Sequence, residues 1–181
     1  MFFIKDLGLE LQKIYQKIIK KLLAIKGNPK SIAKGFATGV AMSFTPFVGF
    51  HILLSLIITT LTKQNKIAST LGTIAGNPWT FPFIWYLTLH LGIIILDENI
   101  NIASIDFKIF FSKLYHAVIS LDFDLFISDI LPIFIPMLIG SIPCYIVVWI
   151  VVYHLIYKVL KNPNVNNKGK IYDTRNRLRY C

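Results

Sequence analysis

Charged residues are scarce in this chain of 181 residues, of which only 15% are Asp, Glu, Lys or Arg. Soluble domains carry about 25%. Three stretches contain no charged residue at all: Gly35–Leu61, Ile67–Leu96 and Ile130–Tyr157. Uncharged apolar stretches of about 20 residues or more are typical of membrane spans. The shortage of charge excludes an ordinary soluble domain and predicts an all-α, polytopic integral membrane protein.

Cysteine is also rare, and the motifs that carry catalytic or metal chemistry are missing. Cys144 lies in an apolar stretch and Cys181 is the last residue. The sequence contains no cluster of His, Cys, Asp or Glu at metal-ligand spacing, no phosphate-binding loop, no GxSxG motif and no dinucleotide fingerprint. We therefore expect no disulfide framework, no metal, no cofactor and no catalytic residue, and predict that the protein is not an enzyme.

Basic charge is concentrated at the two ends of the chain, and acidic charge lies between them. Residues 1–34 contain eight lysines and residues 158–181 contain seven Lys or Arg, whereas Asp97–Asp129 contains six acidic residues against two lysines. This segregation follows the positive-inside rule of membrane proteins and argues against a nucleic-acid partner. It predicts a multi-pass protein with both termini in the cytoplasm.

The N-terminal segment has helical periodicity. Apolar residues recur from Leu7 to Ile25, and most lysines fall on the other side. The pattern predicts that residues 1–30 form a basic amphipathic helix in the membrane interface, where it attracts anionic lipids. Packing of its apolar side on a partner or on the protein's own loops is the alternative. Residues 31–160 then form the membrane domain, and residues 161–181 form a polar basic tail that we expect to be disordered.

A capping residue followed by proline interrupts each of the first two apolar stretches. Asn is a favoured N-cap and Pro a favoured first helical residue, so Asn77-Pro78 predicts a helix that begins within the membrane. Pro78 and Pro82 are also expected to leave carbonyl groups one turn earlier without partners, which protein or water must satisfy. The candidate substrate-binding residues are Thr45, Pro46, His51, Asn77, Pro78, Thr80 and Pro82.

Glycine pairs precede both interruptions, as Gly35-x-x-x-Gly39 and Gly72-x-x-x-Gly76. Small residues four apart allow helices to approach closely in lipid. Paired segments interrupted by Gly and Pro also mark the central site of membrane proteins built from repeats. We expect the two interrupted elements to meet near the bilayer centre. In the third stretch, Pro132, Pro136 and Pro143 are expected to break the approach to the last span.

If both termini lie in the cytoplasm, the chain must cross the membrane an even number of times. It nevertheless has three apolar stretches. One stretch must therefore be re-entrant or cross twice. Re-entry of the first keeps Lys63 and Lys66 in the cytoplasm and places Asp97–Asp129 outside, which the positive-inside rule favours. Re-entry of the second stretch would place both lysines outside. This alternative is left open by the sequence.

Three segments resemble a bacterial membrane family catalogued as domain of unknown function 2062. They are I-A-K-G-F-A-T-G-V (Ile32–Val40), P-F-V-G-F-H (Pro46–His51) and G-N-P-W-T-F-P (Gly76–Pro82). The resemblance extends from Pro29 to the last span. It implies a location in the bacterial inner membrane and no established activity. Some relatives accompany glycosyltransferase-type domains, which hints at a role in the cell envelope.

The function that we predict is permeation, or the handling of lipids or envelope precursors, through a central site formed by the broken helices. A small polar or anionic group would bind where the N-terminal ends of half-helices converge. The alternative is a non-transporting scaffold that recruits envelope-biogenesis enzymes through the basic N-terminal helix. Membrane lipids are expected partners. A second copy of the chain and an envelope enzyme are further partners that the sequence leaves open.

Overall fold

The computed structural model describes residues 16–47, 49–75, 80–97 and 106–162, and this part of the chain is helical, without strands. In chain order the helices are α1 (residues 16–24), α2 (Pro29–Met42), α3 (His51–Leu61), α4 (Lys66–Gly72), α5 (Phe81–Leu96), α6 (Phe107–Ser120), α7 (Phe123–Leu125) and α8 (Leu131–Lys161). A 3-10 turn, Thr73–Ala75, extends α4, and a π-helical turn, Phe126–Ile130, joins α7 to α8. The predicted all-α fold is confirmed for the described residues.

Helices α2, α4 and α6 begin at side chains that cap them. The Oδ1 atoms of Asn28, Asn65 and Asp106 accept hydrogen bonds from first-turn N–H groups at 2.9, 2.9 and 2.8 Å. The first N–H groups of a helix have no carbonyl partner within it. Each cap therefore fixes the residue at which its helix begins.

The longest helix, α8, has 31 residues. At 1.5 Å per residue it is about 46 Å long, against about 30 Å for the hydrocarbon core of a bilayer. With α7 and the π-helical turn it forms Phe123–Lys161, the one described stretch that is long and apolar enough to cross a membrane. Only 28% of its most apolar part is buried, whereas the core helix of a soluble protein would be mostly buried.

The prolines of the third apolar stretch do not break α8, which corrects the prediction. Pro136 and Pro143 lie inside the helix, and Pro132 lies in its first turn, where a helix needs no N–H donor. An internal proline removes one backbone hydrogen bond. Helices α5 and α2 pack along α8, and neighbouring helices are known to offset such a loss in membranes.

Helix α5 packs antiparallel on the first half of α8 through two glycines. A Cβ atom on Gly140 would overlap the carbonyl oxygen of Thr88, and one on Gly92 would overlap that of Pro136. The two backbones are therefore in direct contact, which glycine permits. Because these contacts lie in the second half of α5, the first residue of α5 lies level with about the middle of α8.

Helix α2 packs antiparallel on the second half of α8. The indole Nε1 of Trp149 donates a hydrogen bond to Oγ1 of Thr38 at 3.0 Å. Ile32, early in α2, belongs to the same apolar cluster as Ile156, late in α8. The end of α2 at Met42 therefore also lies level with about the middle of α8. Two half-length helices that are not consecutive in the chain thus cover α8 end to end.

Helices α2 and α4 lie side by side and run in the same direction. A Cβ atom on Gly35 would overlap the carbonyl oxygen of Asn65, and one on Gly39 would overlap that of Ser69. Gly72 lies against the backbone of α2 as well. The close helix contact predicted for the glycine pairs is confirmed at these three glycines.

The first apolar stretch folds into a helical hairpin, α2–α3, whose two ends lie together. The backbone N–H of Asn65, after α3, donates to the carbonyl of Ser31, at the start of α2, at 3.2 Å. Lys63, with φ of 54°, adopts the left-handed conformation that ends α3, and the N–H of Gln64 donates to the carbonyl of Thr59 at 2.8 Å. The chain turns here, so that α4 starts beside the start of α2.

Small polar residues lie inside the bundle, whereas many large apolar side chains are exposed. The buried Ser and Thr residues are Thr38, Ser43, Ser55, Thr59, Ser69, Thr73, Thr88 and Ser141. Most of their hydroxyls donate to a carbonyl about one turn earlier in the chain, which satisfies them without water. The exposed residues form a band along three helices and include Leu53, Ile57 and Leu61 of α3, Phe83, Leu87 and Ile94 of α5, and Ile142, Val147, Ile150 and Leu155 of α8.

Helix α1 packs on the end of the molecule formed by the start of α2 and the end of α8. Ile19 and Leu22 are buried in one cluster with Ala33, Ala68 and Leu160. For residues 16–24 the protein itself covers the apolar side, which is the alternative that the sequence leaves open. The earlier part of the predicted interfacial helix and the predicted disordered tail from residue 163 lie outside the described residues.

Candidate functional site

The first interruption and the start of α5 lie together beside α8. Phe44, in the first interruption, packs on a cluster that contains Phe81 and Trp85 of α5 and Met137 of α8. The rings of His51 and Phe81 meet edge to face, with centroids 5.9 Å apart. The N-terminal ends of α3 and α5, which carry partial positive charge, therefore lie next to each other.

Thr45 and Pro46 lie in the first interruption, after the end of α2. The hydroxyl of Thr45 donates to the carbonyl of Met42 at 2.8 Å, so that Thr45 caps the end of α2. It does not cap the second half-helix, because α3 starts only at His51, after Gly49 with φ of 84°. Pro46 is buried. The Thr-Pro pair therefore marks where one helix stops, several residues before the next begins.

Thr80 and Pro82 lie at the start of α5, whereas Asn77 and Pro78 lie outside the described residues. The carbonyl of Thr80 accepts the N–H of Ile84 at 3.1 Å, which is the first backbone bond of the helix. Pro82 is exposed in the first turn, where no N–H donor is needed. Pro82 therefore removes no hydrogen bond from α5, and the carbonyl of Pro78, one turn earlier, lies outside the described residues. The cap predicted at Asn77 stays a prediction.

His51 is the ionisable residue at this meeting place. Its Nδ1 atom is buried, and although the backbone of Phe47 is a hydrogen-bond neighbour of the imidazole, Nδ1 makes no bond of good geometry with a described residue. An imidazole nitrogen donates or accepts a hydrogen bond, depending on its tautomer. Besides Phe81, Phe47 stands four residues earlier in the chain, and its ring contacts that of Phe134 of α8 at 5.9 Å between centroids. The imidazole is thus the polar group of an otherwise aromatic site.

Apolar residues close to the site in the chain are exposed. Phe50, next to His51, is 64% exposed, and Phe83, two residues after Phe81, is 78% exposed. Gly49 has open space around it, since an added Cβ would meet no atom within 4 Å. These residues continue the exposed apolar band of α3 and α5. The exposed surface beside His51 is therefore apolar.

The structure contains a buried polar cluster near the site that was not predicted from the sequence. Thr38 is 0% exposed, and its hydroxyl accepts a hydrogen bond from Trp149 and donates one to Oε1 of Gln64 at 2.7 Å. The cluster joins α2, α8 and the connection into α4. Its sequence signal is that Thr38 stands three residues after Gly35, on the helix face that the glycines form.

The arrangement offers groups that can bind a ligand. It combines aromatic rings, one imidazole and two helix beginnings, which together fit a neutral or anionic group attached to an apolar body. Among the described residues, no group of three or more His, Cys, Asp or Glu side chains could hold a metal ion.

One family model matches residues 12–167, and its description is "uncharacterized protein conserved in bacteria" (DUF2062). The match includes every helix from α2 to α8 and both interruptions. Comparison with curated proteins and comparison with solved structures each give no match. A match over most of the chain establishes membership, and the chain therefore belongs to the bacterial DUF2062 family.

Proposed function

We propose that the chain is a multi-pass protein of the bacterial inner membrane that handles lipids or lipid-linked envelope precursors where its broken helices meet. Its side-chain distribution supports the membrane placement. Small polar residues are buried and large apolar residues are exposed, the reverse of the distribution in soluble proteins. Lipid handling rests on one observation, which is that two apolar rings close to the site in the chain, those of Phe50 and Phe83, are exposed.

In this proposal the hairpin α2–α3 is re-entrant: it enters the membrane and returns to the same side. The hydrogen bond between Asn65 and Ser31 supports this course, because it holds the two ends of the hairpin together. Helices α4 and α5 together then make one crossing, and α8 makes the second. Both termini lie in the cytoplasm and Asp97 lies outside, as the positive-inside rule favours.

A lipid fits the chemistry of the site better than a water-soluble solute does. Its acyl chains would lie along the exposed apolar band, and its polar headgroup would accept or donate a hydrogen bond at His51. The beginnings of α3 and α5 would favour an anionic headgroup. Permeation of a polar solute would need a polar path, whereas Phe44, Phe47 and Phe81 line this place with aromatic rings.

Photo-crosslinking in bilayers tests the proposal. The full chain is reconstituted with phosphatidylglycerol that carries a diazirine in its acyl chain, and labelled peptides are quantified while unlabelled lipid is added. We expect labelling at residues 49–51 to be saturable and to be competed by the unlabelled lipid. Labelling at Val147 and Ile150, exposed on α8, should not saturate, because it reports ordinary boundary lipid.

Substitution of His51 sharpens this experiment. His51→Leu should weaken saturable labelling about tenfold or more, because a hydrogen bond to a charged group contributes about 1.5–3 kcal/mol and 1.4 kcal/mol is a factor of ten. The matched control is His90→Leu, since His90 is exposed on α5 and stacks on Tyr86. Equal, unsaturable labelling at residues 49–51 and on α8 would refute the site. A solute flux that His51→Leu abolishes would favour permeation instead.

A scaffold is the second candidate function, and the packing of α1 favours it. The apolar side of α1 is covered by α2, α4 and α8, so the helix presents Lys17, Lys20 and Lys21 on a fixed surface. A scaffold would use this surface to recruit envelope enzymes. Co-purification of an enzyme in a fixed ratio, lost in a triple Lys→Gln variant of these residues and without saturable lipid labelling, would support the scaffold over lipid handling.

A further inference from the structure

Ten exposed lysines gather at one end of the molecule, which we call the basic end. They are Lys17, Lys20, Lys21 and Lys26 from α1 and the loop after it, Lys30 and Lys34 from α2, Lys63 and Lys66 from the connection into α4, and Lys158 and Lys161 from α8. Every acidic residue of the described chain instead lies between Asp97 and Asp129. Positive charge is therefore concentrated at the basic end, whereas the described acidic residues belong to a separate part of the chain.

The packing of the helices makes these separate parts of the chain neighbours. Ile19 and Leu22 of α1, Ala33 of α2, Ala68 of α4 and Leu160 of α8 are buried in one apolar cluster. Eight of the ten lysines stand one or two positions from a residue of that cluster. The surface is thus formed by folding, and it extends well beyond the N-terminal helix to which the sequence alone assigns lipid contact.

Exposed apolar residues border the basic end. Three of them stand within three positions of an exposed lysine, namely Leu61 near Lys63, Ile67 beside Lys66 and Leu155 near Lys158. Lysines at the edge of an apolar membrane surface place their stems along it and their ammonium groups at the level of the headgroups. Nucleic-acid binding would require the positive charge but gives no reason for this apolar border.

We propose that the basic end binds the phosphate groups of anionic phospholipids in the leaflet that it faces. Charge complementarity selects the headgroup, and the adjoining apolar band receives the acyl chains. The proposal rests on the membrane placement argued above, but it does not depend on the site around His51.

Spin-labelled lipids measure this selectivity directly. The full chain is reconstituted, and the fraction of motionally restricted phosphatidylglycerol is compared with that of phosphatidylcholine. Wild type should prefer phosphatidylglycerol at low salt and lose the preference as salt rises. The double variant Lys63→Gln/Lys66→Gln should lower the preference, by up to about fivefold for each lysine. Lys108→Gln/Lys113→Gln, at the acidic end, is the matched control and should leave it unchanged.

The outcomes separate this proposal from the membrane placement. If neither lipid shows a restricted component, the chain is not embedded and both proposals fail. If both lipids are restricted equally, or if the two double variants lower the preference equally, the membrane placement stands. Only the proposal that the basic end binds anionic phospholipids then fails. Binding of a short RNA that Lys63→Gln/Lys66→Gln abolishes, together with equal restriction of the two lipids, would assign the basic end to nucleic acid.

Discussion

The two halves of α8 are held by different interactions. In the first half, Gly92 and Gly140 bring the backbones of α5 and α8 into direct contact. In the second half, α2 is held by larger apolar side chains and by the hydrogen bond from Trp149 to Thr38. Close packing and interhelical hydrogen bonds are the two interactions that associate helices where the hydrophobic effect between them is weak. The chain uses one on each side of the place where its broken helices meet.

The first half should be the more sensitive to added volume. Gly140→Ala places a methyl group on the backbone of α5, which cannot rotate away as a side chain could. We expect the free energy of unfolding in detergent to fall by about 3 kcal/mol. The control Ile142→Ala, exposed two residues later, should change it by less than about 0.5 kcal/mol. Equal effects of the two substitutions would mean that the α5–α8 contact is not close.

The contact between α2 and α4 should also be destabilised by added volume, but less strongly. In Gly39→Ala the new methyl group meets the carbonyl of Ser69, which belongs to a helix of only 7 residues that can shift more easily than the 16-residue α5. We expect a loss of about 2 kcal/mol in the same unfolding measurement. A loss larger than that of Gly140→Ala would reverse the order of the two contacts.

The second half should be sensitive to lost hydrogen bonds. Thr38→Val keeps the shape of the side chain but leaves Trp149 and Gln64 without the hydroxyl between them. We expect a loss of about 1 kcal/mol. A double-mutant cycle with Trp149→Phe should show that the two substitutions are coupled. Ser69→Ala is the control, because the buried Ser69 hydroxyl makes no hydrogen bond of good geometry in the described residues, and its loss should cost nothing.

The smallest effect is expected at the end of the hairpin, outside both contacts with α8. Lys63 has φ of 54°, a conformation that glycine adopts without strain. Lys63→Gly should therefore raise the free energy of unfolding by about 0.5–1 kcal/mol. A decrease would show that the lysine side chain stabilises the turn by more than its backbone strain costs.

Local features of the fold could be predicted from the sequence, and long-range ones could not. The first interruption follows from local chemistry, because Thr45-Pro46 combines a capping hydroxyl with proline where α2 ends. The start of α3 at His51 could not be derived in this way, since Gly49 and the aromatic packing around it decide where that helix begins.

The cluster around Thr38 shows why part of the candidate site escaped prediction. Thr38 bonds to residues 26 and 111 positions away in the chain, and no local pattern reveals such pairs. The prolines of α8 also show that local patterns do not determine long-range packing. Pro136 and Pro143 favour a broken helix on local grounds, but packing against α5 and α2 keeps the helix continuous.

Cysteine labelling from the two sides of the membrane tests the central claim, that α2–α3 is a re-entrant hairpin. Single cysteines replace Lys63, Asp124 or Lys158 in a background of Cys144→Ser and Cys181→Ser. A membrane-impermeant maleimide should label Lys63→Cys and Lys158→Cys from the cytoplasmic side, and Asp124→Cys from the outside. Labelling of Lys63→Cys and Asp124→Cys from the same side would contradict the account, because the first apolar stretch would then cross the membrane.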